Sequence, residues 1–144
     1  MNDLSQAAKG KAQRNATDAS VFISVCTTCK TQDAAADLVG PNLLAAVRDI
    51  VSSADRGLSV RAVQCLGVCK RPTTAAVSGP DRYTFVFADL QPDGAPALRN
   101  FALSYARSDY GLVPWRERAQ VLRRGMIARI PPAIWSPENG EPPK

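Results

Sequence analysis

The 144-residue chain contains no histidine, and this absence narrows the chemistry open to it. Histidine is the most common general base in enzymes. The sequence also lacks a glycine-rich phosphate loop, a G-x-S-x-G motif and paired carboxylates in a recognisable context. Hydrolysis or group transfer by side chains is therefore not indicated. We therefore do not expect an enzyme that works through its side chains alone, and catalysis by a bound cofactor is left open.

Long apolar runs are absent as well. No segment approaches the about 18 consecutive apolar residues of a membrane span, and residues 1–15 lack the hydrophobic region of a secretory signal. The sequence therefore predicts a cytoplasmic protein without a membrane partner. Thiols stay reduced in that compartment, where closely paired cysteines bind metal or do redox chemistry more often than they form structural disulfides.

Aromatic residues are scarce, with four Phe, three Tyr and two Trp. The chain is basic, with a net charge of +5 and a pI near 9.3, but its basic residues are scattered along the sequence. Proteins that bind nucleic acids combine basic patches with aromatic stacking platforms. A nucleic-acid partner is therefore not predicted, and a solvated basic surface is the simpler interpretation.

The remaining composition indicates one folded domain, because 45% hydrophobic and 22% charged residues are ordinary values for a soluble globular protein. Residues 1–19 are small and polar without periodicity, which predicts a disordered N-terminal tail. Residues 20–133 form the predicted domain, and residues 134–144 are predicted to be a flexible C-terminal tail.

Hydrophobic periodicity predicts the elements of this domain. Residues 21–25 and 58–64 read as strands that end at Cys26 and Cys65, and residues 73–77 and 83–87 read as a hairpin. A helix begins near Gly40 and carries an apolar stripe on one face: Leu43, Leu44, Val47, Ile50 and Val51. A second helix has one apolar side: Leu98, Phe101, Ala102 and Tyr105. The prediction is an α/β fold with a mixed four-stranded sheet in the order β-α-β-β-β-α.

An appended C-terminal helix is predicted from Pro114 to Gly125. Its arginines, together with the one that follows, could form a docking surface for an acidic partner: Arg116, Arg118, Arg123, Arg124 and Arg129. In that arrangement Trp115, Ala119 and Leu122 pack inward. The simpler alternative is a solvated basic face over a core stripe.

All four cysteines occur in two tight pairs, CTTC at residues 26–29 and CLGVC at residues 65–69. A strand, a helix and a second strand favour a right-handed parallel crossover, in which both strands end at the same edge of the sheet. The four thiols are therefore expected to meet in space.

Four thiolates without histidine suit either zinc or an iron-sulfur cluster. The spacing of the two pairs lies within the range of structural zinc sites. Lys30, Lys70 and Arg71 follow the pairs and are expected to lower the pKa of the thiols, although so basic a chain could also place them there by chance.

The segment CLGVCKRP, followed by a strand and Tyr83, resembles the C-terminal half-site of thioredoxin-like 2Fe-2S ferredoxins and of the related small subunit of respiratory complex I. The first pair is more closely spaced here than in those ferredoxins. Residues 20–133 are also similar to a family of uncharacterised bacterial proteins described only as predicted metal-binding. The resemblance implies a thioredoxin-like fold and the ligand set Cys26, Cys29, Cys65 and Cys69.

The function expected from this resemblance is binding of a 2Fe-2S cluster, with Cys26 and Cys29 on one iron and Cys65 and Cys69 on the other. Its role would be electron transfer, redox sensing or cluster delivery, with an acidic redox or cluster-acceptor protein as partner and a homodimer as a further option. One alternative is a structural zinc site with four cysteines in an interaction module. A second is a C-x-x-C thiol-disulfide oxidoreductase.

Overall fold

The computed structural model of the chain describes residues 21–28, 39–51, 55, 57–68 and 71–143. Within these residues, five strands form one mixed sheet: β1 Val21–Cys26, β2 Leu58–Val63, β3 Ala75–Ser78, β4 Thr84–Phe87 and β5 Met126–Ile130. Three α-helices accompany them: α1 Val39–Ile50, α2 Ala95–Arg107 and α3 Gln120–Gly125. The predicted α/β class and the order β-α-β-β-β-α are confirmed. No helix among the described residues is long and apolar enough to span a membrane.

The strands lie side by side in the order β2-β1-β3-β4-β5. β1 and β2 are parallel, as the crossover predicts, and every other neighbouring pair is antiparallel. The register places Val21 beside Leu58 and Cys26 beside Val63. Since the two strands run in the same direction and in step, both end at the same edge of the sheet.

The hydrophobic core lies between one face of the sheet and the helices α1 and α2. Both helices contact β1 and each other. Alternate residues of β1 and β4 face these helices, and each of them is fully buried: Val21, Ile23, Val25, Phe85 and Phe87. Burying a side chain of this size stabilises the fold by roughly 1.5–3 kcal/mol. The apolar stripes predicted for both helices are therefore the surfaces that hold the sheet.

The C-terminal region corrects three predictions, one of which is the four-stranded sheet, because β5 makes the sheet five-stranded. The helix expected from Pro114 to Gly125 is only a short 3-10 turn, Trp115–Glu117, followed by α3, and the chain then continues as β5. Of the three residues expected to pack inward, Leu122 is buried, whereas Ala119 is exposed and Trp115 is 57% exposed. The fifth strand was missed because it is an edge strand, whose backbone hydrogen bonds with β4 leave no pattern in its own sequence.

Residues beyond β5 pack back on the hairpin end of the sheet. Trp135, which belongs to the segment predicted as a flexible tail, is 3% exposed. Its Nε1 donates a hydrogen bond to Asp81 Oδ1 at 2.6 Å, and its ring meets the rings of Tyr83 and Tyr110 edge-on, at 5.0 and 5.2 Å between centroids. The predicted N-terminal tail, residues 1–19, lies outside the described residues.

Candidate metal centre

Two of the four predicted ligands are placed by the structure, at the same edge of the sheet. Cys26 is the last residue of β1 and is 1% exposed. Cys65 follows the end of β2 by two residues and is exposed. Cys29 and Cys69 lie outside the described residues, as do Lys30 and Lys70. The parallel crossover therefore brings Cys26 and Cys65 to one edge, and the convergence of all four thiols stays a prediction.

Hydrogen bonds join the chain after β1 to the end of β2. The Cys26 thiol donates to the carbonyl oxygen of Gln64 at 3.7 Å, and Gln64 directly precedes Cys65. Thr27 donates to the carbonyl oxygen of Val63 twice, from its backbone N–H at 2.9 Å and from its hydroxyl at 3.2 Å. The hydroxyl of Thr28 also donates to the Gln64 carbonyl. The two threonines of CTTC thus fasten the first cysteine loop to the second.

These threonine contacts were not anticipated from the sequence. The only available signal was the position of two hydroxyl residues between Cys26 and Cys29, since threonine side chains often hydrogen-bond to nearby backbone groups. Nothing in the sequence indicates that the acceptors lie at the end of β2 and just beyond it, more than thirty residues away along the chain.

Gly67 positions a hydrogen-bond donor at the second cysteine loop. Its backbone N–H donates to the Sγ of Cys65 at 3.2 Å. The φ angle of Gly67 is +81°, in the left-handed region where residues with a Cβ are strained. The glycine of CLGVC therefore gives this loop a conformation that directs an N–H toward the sulfur.

Gly40 lets α1 begin directly against the first cysteine loop. A Cβ at position 40 would lie 2.6 Å from the carbonyl oxygen of Cys26 and 3.2 Å from the Cα of Thr27, both backbone atoms that cannot move aside freely. The N-terminal end of a helix carries partial positive charge. This end of α1 consequently lies beside the backbone that leads out of Cys26.

Arg71, which was expected to favour thiolates in the second loop, makes an ion pair instead. Its Nη2 lies 2.5 Å from Asp89 Oδ2 and also donates to the carbonyl oxygen of Arg124 at 3.4 Å. Both charged side chains are about half exposed, so the pair contributes little to stability. The ion pair joins the chain after the second cysteine pair to the residue two positions beyond β4, and the hydrogen bond to Arg124 joins it to the end of α3.

A match to a known protein family covers both cysteine pairs. Residues 23–132 match the family described as "Protein of unknown function (DUF1636)". The chain belongs to this family. No curated protein and no solved structure matches the chain. The family description names neither a metal nor a ferredoxin, so these two parts of the predicted resemblance stay predictions.

The described side chains that could bind a metal at this edge of the sheet are the thiols of Cys26 and Cys65. In the part of the chain that the structure describes, no group of three or more Cys, Asp or Glu side chains is arranged to hold a metal ion. Two of the four thiols fall outside that part. The sulfur atoms of Cys26 and Cys65 are soft ligands, which suit zinc or iron and do not suit magnesium or calcium.

Proposed function

We propose that this protein binds a 2Fe-2S cluster through the thiolates of Cys26, Cys29, Cys65 and Cys69. The observation that carries the proposal is the placement of Cys26 and Cys65 at the ends of two parallel strands in register, with the Cys26 sulfur in contact with the residue before Cys65. Each strand end begins one C-x2-C or C-x3-C loop. One iron would be held by each loop.

Three features of the described residues support a cluster site. The Cys26 side chain is buried, which shields a ligand from water and oxidants. The Gly67 N–H is directed at the Cys65 sulfur, and hydrogen bonds of this type raise the reduction potential of iron-sulfur clusters. The element order and mixed sheet agree with the thioredoxin-like fold that the resemblance to 2Fe-2S ferredoxins implies.

A bound cluster would supply one-electron redox chemistry. The polypeptide would hold the irons, release the thiol protons on binding and set the potential through burial and hydrogen bonds to sulfur. Electron transfer, redox sensing and cluster delivery all use the same site. Because the thiolates must stay reduced to bind metal, the cytoplasm is the compartment we propose.

Zinc is the second candidate, because C-x2-C and C-x3-C lie within the spacing of structural zinc sites and the same four thiolates would serve. A thiol-disulfide oxidoreductase is less favoured. Its attacking cysteine must be accessible, whereas Cys26 is 1% exposed.

Metal analysis and visible spectroscopy of protein purified without oxygen test the proposal. A 2Fe-2S site predicts equal amounts of iron and acid-labile sulfide, and a brown colour that bleaches on dithionite reduction. Colourless protein with bound zinc would contradict the 2Fe-2S proposal and support the zinc alternative. Protein that binds neither metal, even after anaerobic reconstitution with iron and sulfide, would overturn both.

Single Cys→Ser variants then assign the ligands. Loss of the cluster in all four variants, with circular dichroism unchanged, is expected for a site with four thiolates. Cys65→Ser is the most informative, because Cys65 is exposed and its replacement should leave the core intact. If protein with Cys65→Ser and Cys69→Ser together reduces insulin disulfides, the oxidoreductase alternative gains over both metal sites.

A further inference from the structure

The segment from residue 112 to residue 130 carries most of the net charge of the chain. It contains five arginines and one glutamate, which is a net charge of +4 out of +5 for all 144 residues. The segment includes the W-R-E-R sequence at residues 115–118, to which the cysteine chemistry gives no role. A charge concentrated in this way produces a local positive field that attracts negatively charged partners.

An exposed tryptophan lies among these arginines. Trp115 is 57% exposed, which is unusual because tryptophan side chains are highly buried on average. The guanidinium carbons of Arg118 and Arg123 lie 5.5 and 5.7 Å from the centre of its ring. The exposed indole therefore packs against two cations, of which Arg118 is buried and Arg123 is half-buried.

Backbone carbonyls hold both guanidinium groups in place. Arg123 donates from Nε to the Trp115 carbonyl and from Nη2 to the Arg116 carbonyl, each at 3.1 Å. Arg118 donates from Nε to the Val113 carbonyl at 3.0 Å, and its guanidinium lies over the Phe85 ring at 5.2 Å. Side chains that are already fixed lose little conformational entropy when a partner binds.

No described carboxylate pairs with these cations. The ion pairs found among the described residues are Arg71–Asp89 and Arg99–Asp55, and neither involves the segment 112–130. Burial of Arg118 lowers the pKa of its guanidinium, and the positive charge of Arg129 lowers it further.

We propose that Trp115, Arg116, Arg123 and Arg124, here called the Trp115 surface, form a docking site for an acidic segment of a partner protein. Arg116 and Arg124 are exposed and available for carboxylates, and the exposed indole offers an apolar contact. A nucleic acid fits less well, because one exposed ring is a poor stacking platform and the Nε–H groups of Arg118 and Arg123 are already used by carbonyls.

The Trp115 surface is linked to Arg71, which is two residues beyond Cys69 in the chain and donates a hydrogen bond to the carbonyl of Arg124. β2, which leads to Cys65, and β5, which follows α3, are opposite edge strands of the sheet, so a partner held here need not touch the group that the cysteines bind. The docking proposal does not depend on the identity of that group, so it can fail or succeed separately from the proposed function.

Binding of a fluorescein-labelled peptide rich in glutamate, with one phenylalanine, tests the proposal by anisotropy with the full chain. Arg116→Glu with Arg124→Glu should weaken binding at about 0.05 M NaCl by at least about tenfold, because like charges now face each other. These side chains make no hydrogen bond in the described structure, so the fold should survive. Trp115→Ala should also weaken binding, and Trp115→Phe less so.

The matched control reverses charge elsewhere. Arg48 is exposed on α1, and Arg48→Glu combined with Arg107→Glu at the exposed end of α2 changes the net charge by the same amount. This control should retain binding within about twofold. Iron and zinc contents are measured on every variant and should equal those of the wild type.

Three outcomes would overturn the proposal. One is no binding of the peptide at low salt. Another is an equal loss in the control, which would mean that only net charge matters. The third is a single-stranded DNA oligonucleotide of matched charge that binds more tightly than the peptide and loses affinity in the Arg116 and Arg124 variant, which would make the surface a nucleic-acid site.

Discussion

The sulfur of Cys26 lies 3.7 Å from the carbonyl oxygen of Gln64, the residue directly before Cys65. These residues are thirty-eight positions apart in the chain. They meet because β1 and β2 are parallel and in register, so that the chain leaves both strands at one edge. The strand pairing, rather than any local sequence signal, joins the two cysteine loops.

The close contact between α1 and the first cysteine loop predicts a strong effect at Gly40. Gly40→Ala should lower the free energy of unfolding by about 1–3 kcal/mol, because the new Cβ would press on backbone atoms of Cys26 and Thr27. Urea denaturation measures the change. Gly94→Ala is the matched control, since a Cβ there meets nothing within 4 Å and should leave stability nearly unchanged. Equal losses in the two variants would contradict this account.

The effect of a substitution at Gly67 on stability should depend on how well the new residue tolerates a positive φ angle, and not on the volume of its side chain. A Cβ at position 67 meets nothing within 4 Å, so the cost of Gly67→Ala comes from the positive φ angle, about 1 kcal/mol. Gly67→Asn should cost less, because asparagine tolerates the left-handed region. If the cysteines hold a cluster, its release to a chelator should be faster in Gly67→Ala than in Gly67→Asn. A larger effect of Asn would argue for a steric cause.

Tyr105 provides a prediction about pH. Its hydroxyl donates to the carbonyl oxygen of Tyr83, and burial raises its pKa above the ordinary value of 10.0, an effect only partly opposed by the charge of Arg82. Tyr105→Phe should reduce the free energy of unfolding by about 1 kcal/mol at neutral pH, through the lost hydrogen bond.

The same shift sets the direction of the pH dependence. Since the folded pKa is the higher one, the unfolded state releases the Tyr105 proton first, and stability falls as the pH rises above about 10. Tyr105→Phe lacks this loss, so the difference between the two proteins should shrink between about pH 8 and about pH 11. Urea midpoints at both pH values check this. A difference that grows with pH would show that the sign is wrong.

Trp135 should anchor the C-terminal segment. Trp135→Ala removes a 3% exposed indole and should lower the free energy of unfolding by about 3 kcal/mol. Trp135→Phe keeps much of the packing but loses the hydrogen bond to Asp81, with an expected cost of about 1–2 kcal/mol. The neighbouring Ile134 is 83% exposed, and Ile134→Ala should change stability by less than about 0.5 kcal/mol. If Trp135→Ala is equally harmless, the segment is a flexible tail in solution.

Most of the sheet could be read from hydrophobic patterns. The residues of β1, β3 and β4 are β-branched, aromatic or small, and the stripes of α1 and α2 repeat every three to four positions, so local sequence was enough to identify them. β5 was missed because its stability comes from hydrogen bonds with β4. Trp115 was placed on the wrong side for a related reason: the predicted helix is a 3-10 turn, and a helical stripe does not describe it.

The sequence by itself determined the identity of the candidate ligands, because four thiols in two tight pairs without histidine admit few chemistries. It also determined the parallel crossover, since right-handed connections between such strands are nearly universal. Only the tertiary structure decided that Thr27 and Thr28 join the loops, that Gly67 directs its N–H at Cys65 and that Trp115 faces water. Each of these features depends either on atoms brought together from distant parts of the chain or on a local backbone angle. The hydrophobic periodicity of the sequence encodes neither of these two causes.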